Sequence, residues 1–309
     1  FNNSYIFKYN EPGTDGATVK RWIQLNSNST MYPVEGYRIV QAAAKKYTIT
    51  GQLFNSDVTR NLSYTPTAQY PGQHVISNPY TAAIKIQDIQ FGTNLDPVVY
   101  LFNTGIFNPA DPEGPNAGQY SPIPVNLAGS SVDFPSEISS MQGFLVKATA
   151  ASTIGFTYSA VTDRNTTLMR APKNIKKSYL KIDVESANGH DKVWIFNEPN
   201  TTRGYDSGWD CYKTSENVLS KPEIFVTESN ENFQISTLPD INETKLAFKS
   251  GDDLEYKLIF TNNNLNSVYL FDLKDSTILD ISVSGTEYLM QVIKLPLKTD
   301  LKFLHTNLM

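Results

Sequence analysis

The chain has 309 residues, a formal net charge of −5 and 40% hydrophobic residues. This length predicts about two domains, and the absence of a broad basic face excludes nucleic acid as a partner. The sequence holds no run of about 18 apolar residues, which excludes a membrane-spanning helix within it.

The side-chain composition favours β-strands. Aromatic residues make up 12% of the chain, with 17 Tyr and 16 Phe, whereas charged residues make up only 18%. Aromatic side chains fit the pleated, half-buried surface of a sheet, and the charged fraction lies below the typical quarter. We therefore expect strands rather than helices.

In the first half, short aromatic and apolar segments alternate with turn residues, and none keeps a helical period. The predicted strands are residues 5–9, 36–40, 47–50, 98–102, 143–147 and 153–158. In the second half, Leu180, Ile182 and Val184 alternate with charged residues, which indicates a strand with one buried and one solvent-exposed face. Further strands are predicted at residues 193–196, 224–226, 233–235, 254–260, 268–271, 278–283 and 288–292.

These strands predict an all-β fold of two tandem β-sandwich or jelly-roll-like modules. A polar segment, residues 161–177, contains Pro172 and the basic cluster Lys173, Lys176 and Lys177, and we interpret it as a solvated linker. The predicted domains are residues 1–165 and residues 175–309.

The first module contains an internal pseudo-repeat. Residues 5–10 form a strand ending in Asn, followed by Met31 and the Gly-aromatic segment 36–40. Residues 99–103 again end in Asn and are followed by Met141 and the Gly-aromatic segment 143–147. We expect two structurally related halves, with each glycine at a special backbone position.

The same motifs resemble a β module of Bacteroidota surface and secreted proteins, often found upstream of type IX secretion sorting domains. The first module shares residues of that pattern: Met31, Pro33, Gly36, Tyr37, Asn78, Pro79, Tyr80, Gln142, Gly143, Phe144, Val146, Lys147 and Ala148. The second module resembles it at residues 204–210, Lys213, 268–272 and 302–303. The first module departs from the family pattern at Gln73, His74 and Ser77. No sorting domain follows the second module before Met309.

This resemblance implies a Gram-negative cell-surface or extracellular setting and an adhesion-like or accessory role. The sequence begins at Phe1 and determines neither the start of the mature chain, nor its export route, nor its oligomeric state.

The sequence offers no catalytic motif. The three histidines, His74, His190 and His305, are far apart, and no zinc-binding spacing or nucleophile elbow is present. Cys211 lies in an aromatic stretch and is expected to be a buried, inert thiol. No enzymatic activity is therefore predicted, although two facing carboxylates, as in a glycosidase, cannot be recognised from sequence.

Calcium is the one metal hypothesis, and no other cofactor is expected. One loop gathers oxygen donors at Asn108, Asp111 and Glu113, and a second gathers Asp206 and Asp210. The alternative is that these residues are ordinary turn formers.

Three aromatic residues are candidates for stacking on a ligand. Tyr205 and Trp209 lie beside glycines in a predicted loop, and Trp22 lies near the start of the chain. The alternative is that these three side chains pack between sheets and have a structural role. Trp194 lies in an apolar strand and is expected in a core.

Three functions follow from these observations. The first is a surface interaction protein that binds a glycan or a host or cell-surface protein through loops on a rigid scaffold. The second is an architectural spacer within a larger surface protein. The third is a glycan-active hydrolase.

Overall fold

The structure is a computed structural model that describes residues 4–15, 18–41, 43, 46, 52–105, 117–162, 177–214, 221–273, 276–292 and 306–308. These residues form β-strands and three short 3₁₀ helices, with no α-helix among them. The prediction of an all-β fold is confirmed. No helix in the described ranges is long and apolar enough to cross a membrane.

The chain divides into two compact units, the first from residues 1–103 and 120–173 and the second from residues 104–119 and 174–309. The first fourteen strands are β1 Ser4–Tyr9, β2 Thr14–Asp15, β3 Thr18–Val19, β4 Trp22–Gln24, β5 Tyr37–Gln41, β6 Val58–Leu62, β7 Gln73–Ser77, β8 Ile84–Lys85, β9 Gln90–Phe91, β10 Val98–Gly105, β11 Ala117–Pro124, β12 Glu137–Ile138, β13 Gly143–Lys147 and β14 Ser152–Phe156. The 3₁₀ helices are Ile86–Asp88, Val125–Leu127 and Tyr158–Ala160.

These strands form several small sheets. The largest have the orders β4-β1-β5, β11-β10-β13-β7 and β6-β14-β9. Residues of β7, β13 and β14, such as Ile76, Val146 and Ile154, are completely buried and form the interior of this sandwich-like arrangement. Packing of several short sheets against each other is the expected solution for strands that each bury one face.

Two of the sheets share a pairing pattern. In one, β1 lies between β4 and β5 and pairs Phe7 with Arg38. In the other, β10 lies between β11 and β13 and pairs Tyr100 with Leu145. In each pair, the first residue lies three positions before an Asn, and the second lies two positions after a Gly. A positive-φ residue also precedes each glycine by two positions, Val34 and Met141.

The segment Asn78-Pro79-Tyr80 has a structural role. Asn78 is buried, and its amide nitrogen donates to the carbonyl oxygens of Ala82, Ile138 and Ser139, while its oxygen accepts the Tyr80 amide. The Tyr80 ring is 1% exposed, and its hydroxyl donates to the Phe156 carbonyl at 3.1 Å. Both side chains therefore join loops to strands in the interior.

The remaining strands are β15 Ser178–Glu185, β16 His190–Asn197, β17 Cys211–Tyr212, β18 Glu223–Glu228, β19 Glu231–Leu238, β20 Lys245–Lys249, β21 Glu255–Asn263, β22 Tyr269–Asp272, β23 Thr277–Asp280, β24 Thr286–Gln291 and β25 Thr306–Leu308. They form one sheet in the order β23-β22-β25-β20-β18-β19-β16-β15-β21-β24, with β17 beside β19. All pairs are antiparallel except β16 with β19.

This sheet encloses one hydrophobic core. Alternate residues of β15, Leu180, Ile182 and Val184, are 0% exposed and pack with Ile195 and Phe260 from the neighbouring strands. The predicted alternation of β15 is therefore confirmed. Trp194 and Cys211 are also buried, as predicted.

Candidate functional site

The β4-β1-β5 sheet presents aromatic and arginine side chains on one face. Tyr5, Phe7 and Tyr9 alternate along β1 and therefore point to the same side. Their partners across the strands are Trp22 opposite Tyr9 and Arg38 opposite Phe7, which place these side chains on that face as well.

Contacts join Tyr9, Trp22 and Arg38 of this face. The rings of Tyr9 and Trp22 meet edge to face with centroids 5.3 Å apart. The Arg38 guanidinium lies 5.8 Å from the centroid of the Trp22 ring, a geometry that a cation–π attraction favours. Strand pairing thus holds the rings in place before any ligand arrives.

Two aromatic residues of β10 and β11 form a second ring pair. The rings of Phe102 and Tyr120 lie 5.0 Å apart. Burial raises the pKa of Tyr120, and the charge of Arg38 partly offsets this. The pKa of Tyr9 is raised to about 12, chiefly by burial. The charge of Arg21 acts to lower this pKa, and Tyr120 acts to raise it. We call Tyr5, Tyr9, Trp22, Arg38, Phe102 and Tyr120 the aromatic–arginine surface.

Much of the aromatic–arginine surface is open to solvent. Tyr5 is 56% exposed, Phe102 51% and Tyr120 45%. At its margin, the Arg21 guanidinium lies 4.7 Å from the centroid of the Tyr70 ring and donates to Gln69 at 2.6 Å. Tyr, Trp and Arg are the residue types that dominate binding energy at protein interfaces, and here exposed Tyr and Arg flank the half-buried Trp22.

A buried carboxylate braces the turn after β1. Glu11 accepts hydrogen bonds from the amides of Thr65 and Gly72 and from the hydroxyls of Ser63 and Thr65. Burial alone would raise the pKa of Glu11, but these hydrogen bonds outweigh burial and lower it. Glu11 therefore ties the turn after β1 to residues 63–72.

In the second unit, four sequence-predicted residues lie in one loop between β16 and β17. The Tyr205 ring stacks on Tyr212 with centroids 4.7 Å apart and packs against the hydrophobic core. The Lys177 ammonium lies 4.4 Å from the centroid of the Trp209 ring. Both rings are partly buried. The contacts described for them are with residues of their own unit.

The two carboxylates of this loop bind backbone amides. Asp206 accepts from the amide of Thr202 at 2.6 Å. Asp210 is 1% exposed and accepts from the amides of Asp206 at 2.7 Å and Thr237 at 2.6 Å. Burial, with a smaller contribution from the Asp206 charge, raises the pKa of Asp210 to about 7. A raised carboxyl pKa is a mark of a general acid. Asp210, however, is buried, and both of its oxygens accept hydrogen bonds from backbone amides.

The described residues contain no group of three or more His, Cys, Asp and Glu that could hold a metal ion. Asn108, Asp111 and Glu113 lie outside the described residues, so that half of the calcium hypothesis stays a prediction. A crevice lined by residues including Ile84, Asp88 and Phe156 encloses essentially no volume, far below the several hundred Å³ of a typical ligand pocket.

The structure thus places the three predicted ligand-binding residues at two positions. Trp22 lies in the aromatic–arginine surface, whereas Tyr205 and Trp209 share the loop of the second unit. Sequence reasoning missed Tyr9, Arg38, Phe102 and Tyr120. The alternation of Tyr5, Phe7 and Tyr9 was the available signal, but cross-strand neighbours depend on register.

Comparison with known proteins gives one relative. The chain is 31% identical over 293 residues to a protein of Porphyromonas gingivalis named minor fimbrium subunit Mfa5. The aligned region covers 84% of this chain and 24% of that protein, so the chain spans about a quarter of the length of the curated relative it matches. This similarity is to a Bacteroidota protein, in agreement with the sequence motifs. No protein-family model and no solved structure matches the chain.

Proposed function

We propose that the chain is a non-catalytic, adhesion-like interaction module of a Gram-negative cell-surface or exported protein. The observation that carries this proposal is the aromatic–arginine surface, where exposed rings and an arginine are held on paired strands. The similarity to part of a fimbrium subunit supports the setting, since fimbria are surface structures.

The surroundings of Asp210 and Glu228, two described carboxyl groups with a raised pKa, support the non-catalytic part. Asp210 has a raised pKa, but its two oxygens accept backbone amides. Glu228, whose pKa is raised by burial, pairs with Arg203 at 3.0 Å. A glycosidase acid must reach the glycosidic oxygen of its substrate, which Asp210 does not.

The proposed module includes the internal repeat of its first half and a second sandwich-like module after it. The matching positions of the Phe7–Arg38 and Tyr100–Leu145 pairs support the repeat. A repeat of this kind supplies a three-stranded and a four-stranded sheet in which β1 and β10 hold equivalent positions, and the aromatic–arginine surface draws on both.

The experiment is a binding screen of the purified chain on an array of glycans and extracellular proteins, run beside a panel of glycoside substrates. We expect binding to at least one arrayed molecule and no product from the panel. Binding should fall for Tyr120→Ala and not for Leu289→Ala, which truncates a side chain 75% exposed in the second unit. Turnover of a glycoside would contradict the proposal.

An architectural spacer is the second candidate function. It is favoured by the alignment, which covers only 24% of a much longer subunit. A blank array together with a blank substrate panel would favour the spacer over the interaction module.

A further inference from the structure

We propose that the aromatic–arginine surface binds glycans that carry carboxylates, such as chains of uronic or sialic acids. This inference rests on the proposed interaction function and names its ligand class. Its basis is the combination of exposed aromatic rings with guanidinium groups that have no carboxylate partner among the described side chains.

The positive charge of this surface is not neutralised by the described residues around it. Arg38 is exposed, lies against Trp22 and makes no ion pair with a described side chain. Arg21 donates to the neutral side chain of Gln69. The nearby acids are committed elsewhere, because Glu11 accepts hydrogen bonds from the 63–72 loop and Glu35 pairs with Arg60 at 3.0 Å.

This local charge stands out against a chain whose net charge is −5. An arginine fork binds a carboxylate through two parallel hydrogen bonds, which a lysine or a neutral donor does not reproduce. Placing a neutral ligand over Arg38 would remove its water without supplying an acceptor of equal strength. The charge pattern therefore favours an anionic ligand.

The exposed rings specify what else the ligand must offer. Tyr5, Phe102 and Tyr120 present apolar faces at the surface of strands, where the backbone is already ordered and little entropy is lost on binding. A pyranose ring offers a flat C–H face that stacks on an aromatic ring, and a uronic or sialic acid carries its carboxylate on the same ring. An acidic peptide supplies carboxylates on flexible side chains but no flat faces for these rings.

The test uses immobilised hyaluronan, alginate and polysialic acid, each beside its carboxyl-reduced form, with poly-glutamate as an acidic peptide. We expect the full chain to bind at least one carboxylated polymer at least about tenfold more tightly than its reduced form. Arg38→Gln should remove that preference, and Tyr120→Ala should weaken binding to the same polymer. Lys85→Gln, an exposed charge change elsewhere in the first unit, should leave binding unchanged.

Each variant is compared with the parent by circular dichroism and thermal unfolding, and Arg38→Lys serves as a second variant that keeps the charge but lacks the fork. Partial retention of binding by Arg38→Lys is expected. Equal binding of the acidic and reduced polymers, preferential binding of poly-glutamate, or no binding to any carboxylated polymer would overturn the inference. The broader array of glycans and proteins then decides separately whether the interaction function also fails.

Discussion

At the residue scale, Glu11 links the first strand to a distant loop. Its side chain is 5% exposed and receives the amides of Thr65 and Gly72 at 2.8 Å and 2.9 Å. Glu11→Ala leaves both amides without their acceptor, and we expect it to destabilise the first unit by at least about 2 kcal/mol. Glu11→Gln should cost less, because its amide oxygen still accepts and its nitrogen can donate to Ser63 and Thr65.

Urea unfolding and hydrogen exchange of residues 63–73 measure this effect, with the exposed Asp88→Asn as control. Because its hydrogen bonds lower the pKa of Glu11, this stabilisation is present above the unfolded pKa of about 4.3. It should be lost as the pH falls through the folded pKa. Equal stability of Glu11→Ala and the parent at pH 7 would contradict the assigned role.

Asp210 predicts the opposite pH dependence in the second unit. Burial raises the pKa of Asp210 to about 7, so the folded state holds a proton that the unfolded state releases near pH 4. Stability from this group should therefore decrease as the pH rises from about 4 to about 7, by at most about 1.4 kcal/mol per pH unit.

Urea unfolding between pH 4 and 8 tests this in a Trp22→Phe background, where fluorescence reports the two remaining tryptophans, Trp194 and Trp209. Asp210→Asn should flatten the profile, and Asp88→Asn should not. A parent stability that rises over this interval, or an unchanged slope in Asp210→Asn, would count against a protonated Asp210.

At the element scale, the two glycines of the repeat differ in their surroundings. A Cβ on Gly36 would lie 2.5 Å from Val75 Cγ1 and 2.9 Å from the Ile76 carbonyl oxygen, whereas a Cβ on Gly143 would lie 3.7 Å from that oxygen. Gly36→Ala should destabilise the first unit by about 1–3 kcal/mol, because the nearest atoms are a stiff side chain and backbone. Gly143→Ala should change stability by no more than about 0.5 kcal/mol.

Hydrogen exchange of β7 and urea unfolding distinguish the two variants. Equal destabilisation by both substitutions would show that the glycines serve equivalent packing positions, contrary to the distances.

Most strands were predictable where their own residues carry the pattern. The predicted segment 143–147 matches β13 residue for residue, and the alternation at Leu180 locates β15. Several strands were missed, including β6 with Thr59, Arg60 and Asn61 and β7 with Gln73 and His74. These strands are rich in polar residues and form because their partners, β14 and β13, supply the apolar face, a tertiary effect that local propensity does not contain.

The site was predictable only in part for a related reason. The sequence predicts Trp22 as one of several aromatic residues able to stack on a ligand, but its significance depends on Tyr9 and Arg38, which the strand register brings beside it. Asp206 and Asp210 were grouped correctly in one loop. The use of Asp210 as an acceptor for a backbone amide depends on Thr237 of β19, distant in sequence. The spacing of the two residues therefore favours turn formation over calcium binding without showing which amides they accept.

At the scale of the whole molecule, the core of the second unit predicts independent folding. Its buried cluster runs from Leu180 to Met290, so every member lies within residues 175–309. We expect this fragment to unfold cooperatively with a denaturant slope appropriate to its length. Residues 104–119 also belong to this unit by their contacts. If the 175–309 fragment folded only after residues 104–119 were added, the predicted domain boundary at residue 175 would be contradicted.

The central claim is that the first unit binds its ligand through the aromatic–arginine surface. Hydrogen–deuterium exchange with and without the tightest-binding array molecule tests this directly. We predict protection in β1, β4, β5 and β11, and its loss in Arg38→Gln. Protection confined to the loop that carries Tyr205 and Trp209, with β1 and β5 unchanged, would contradict it.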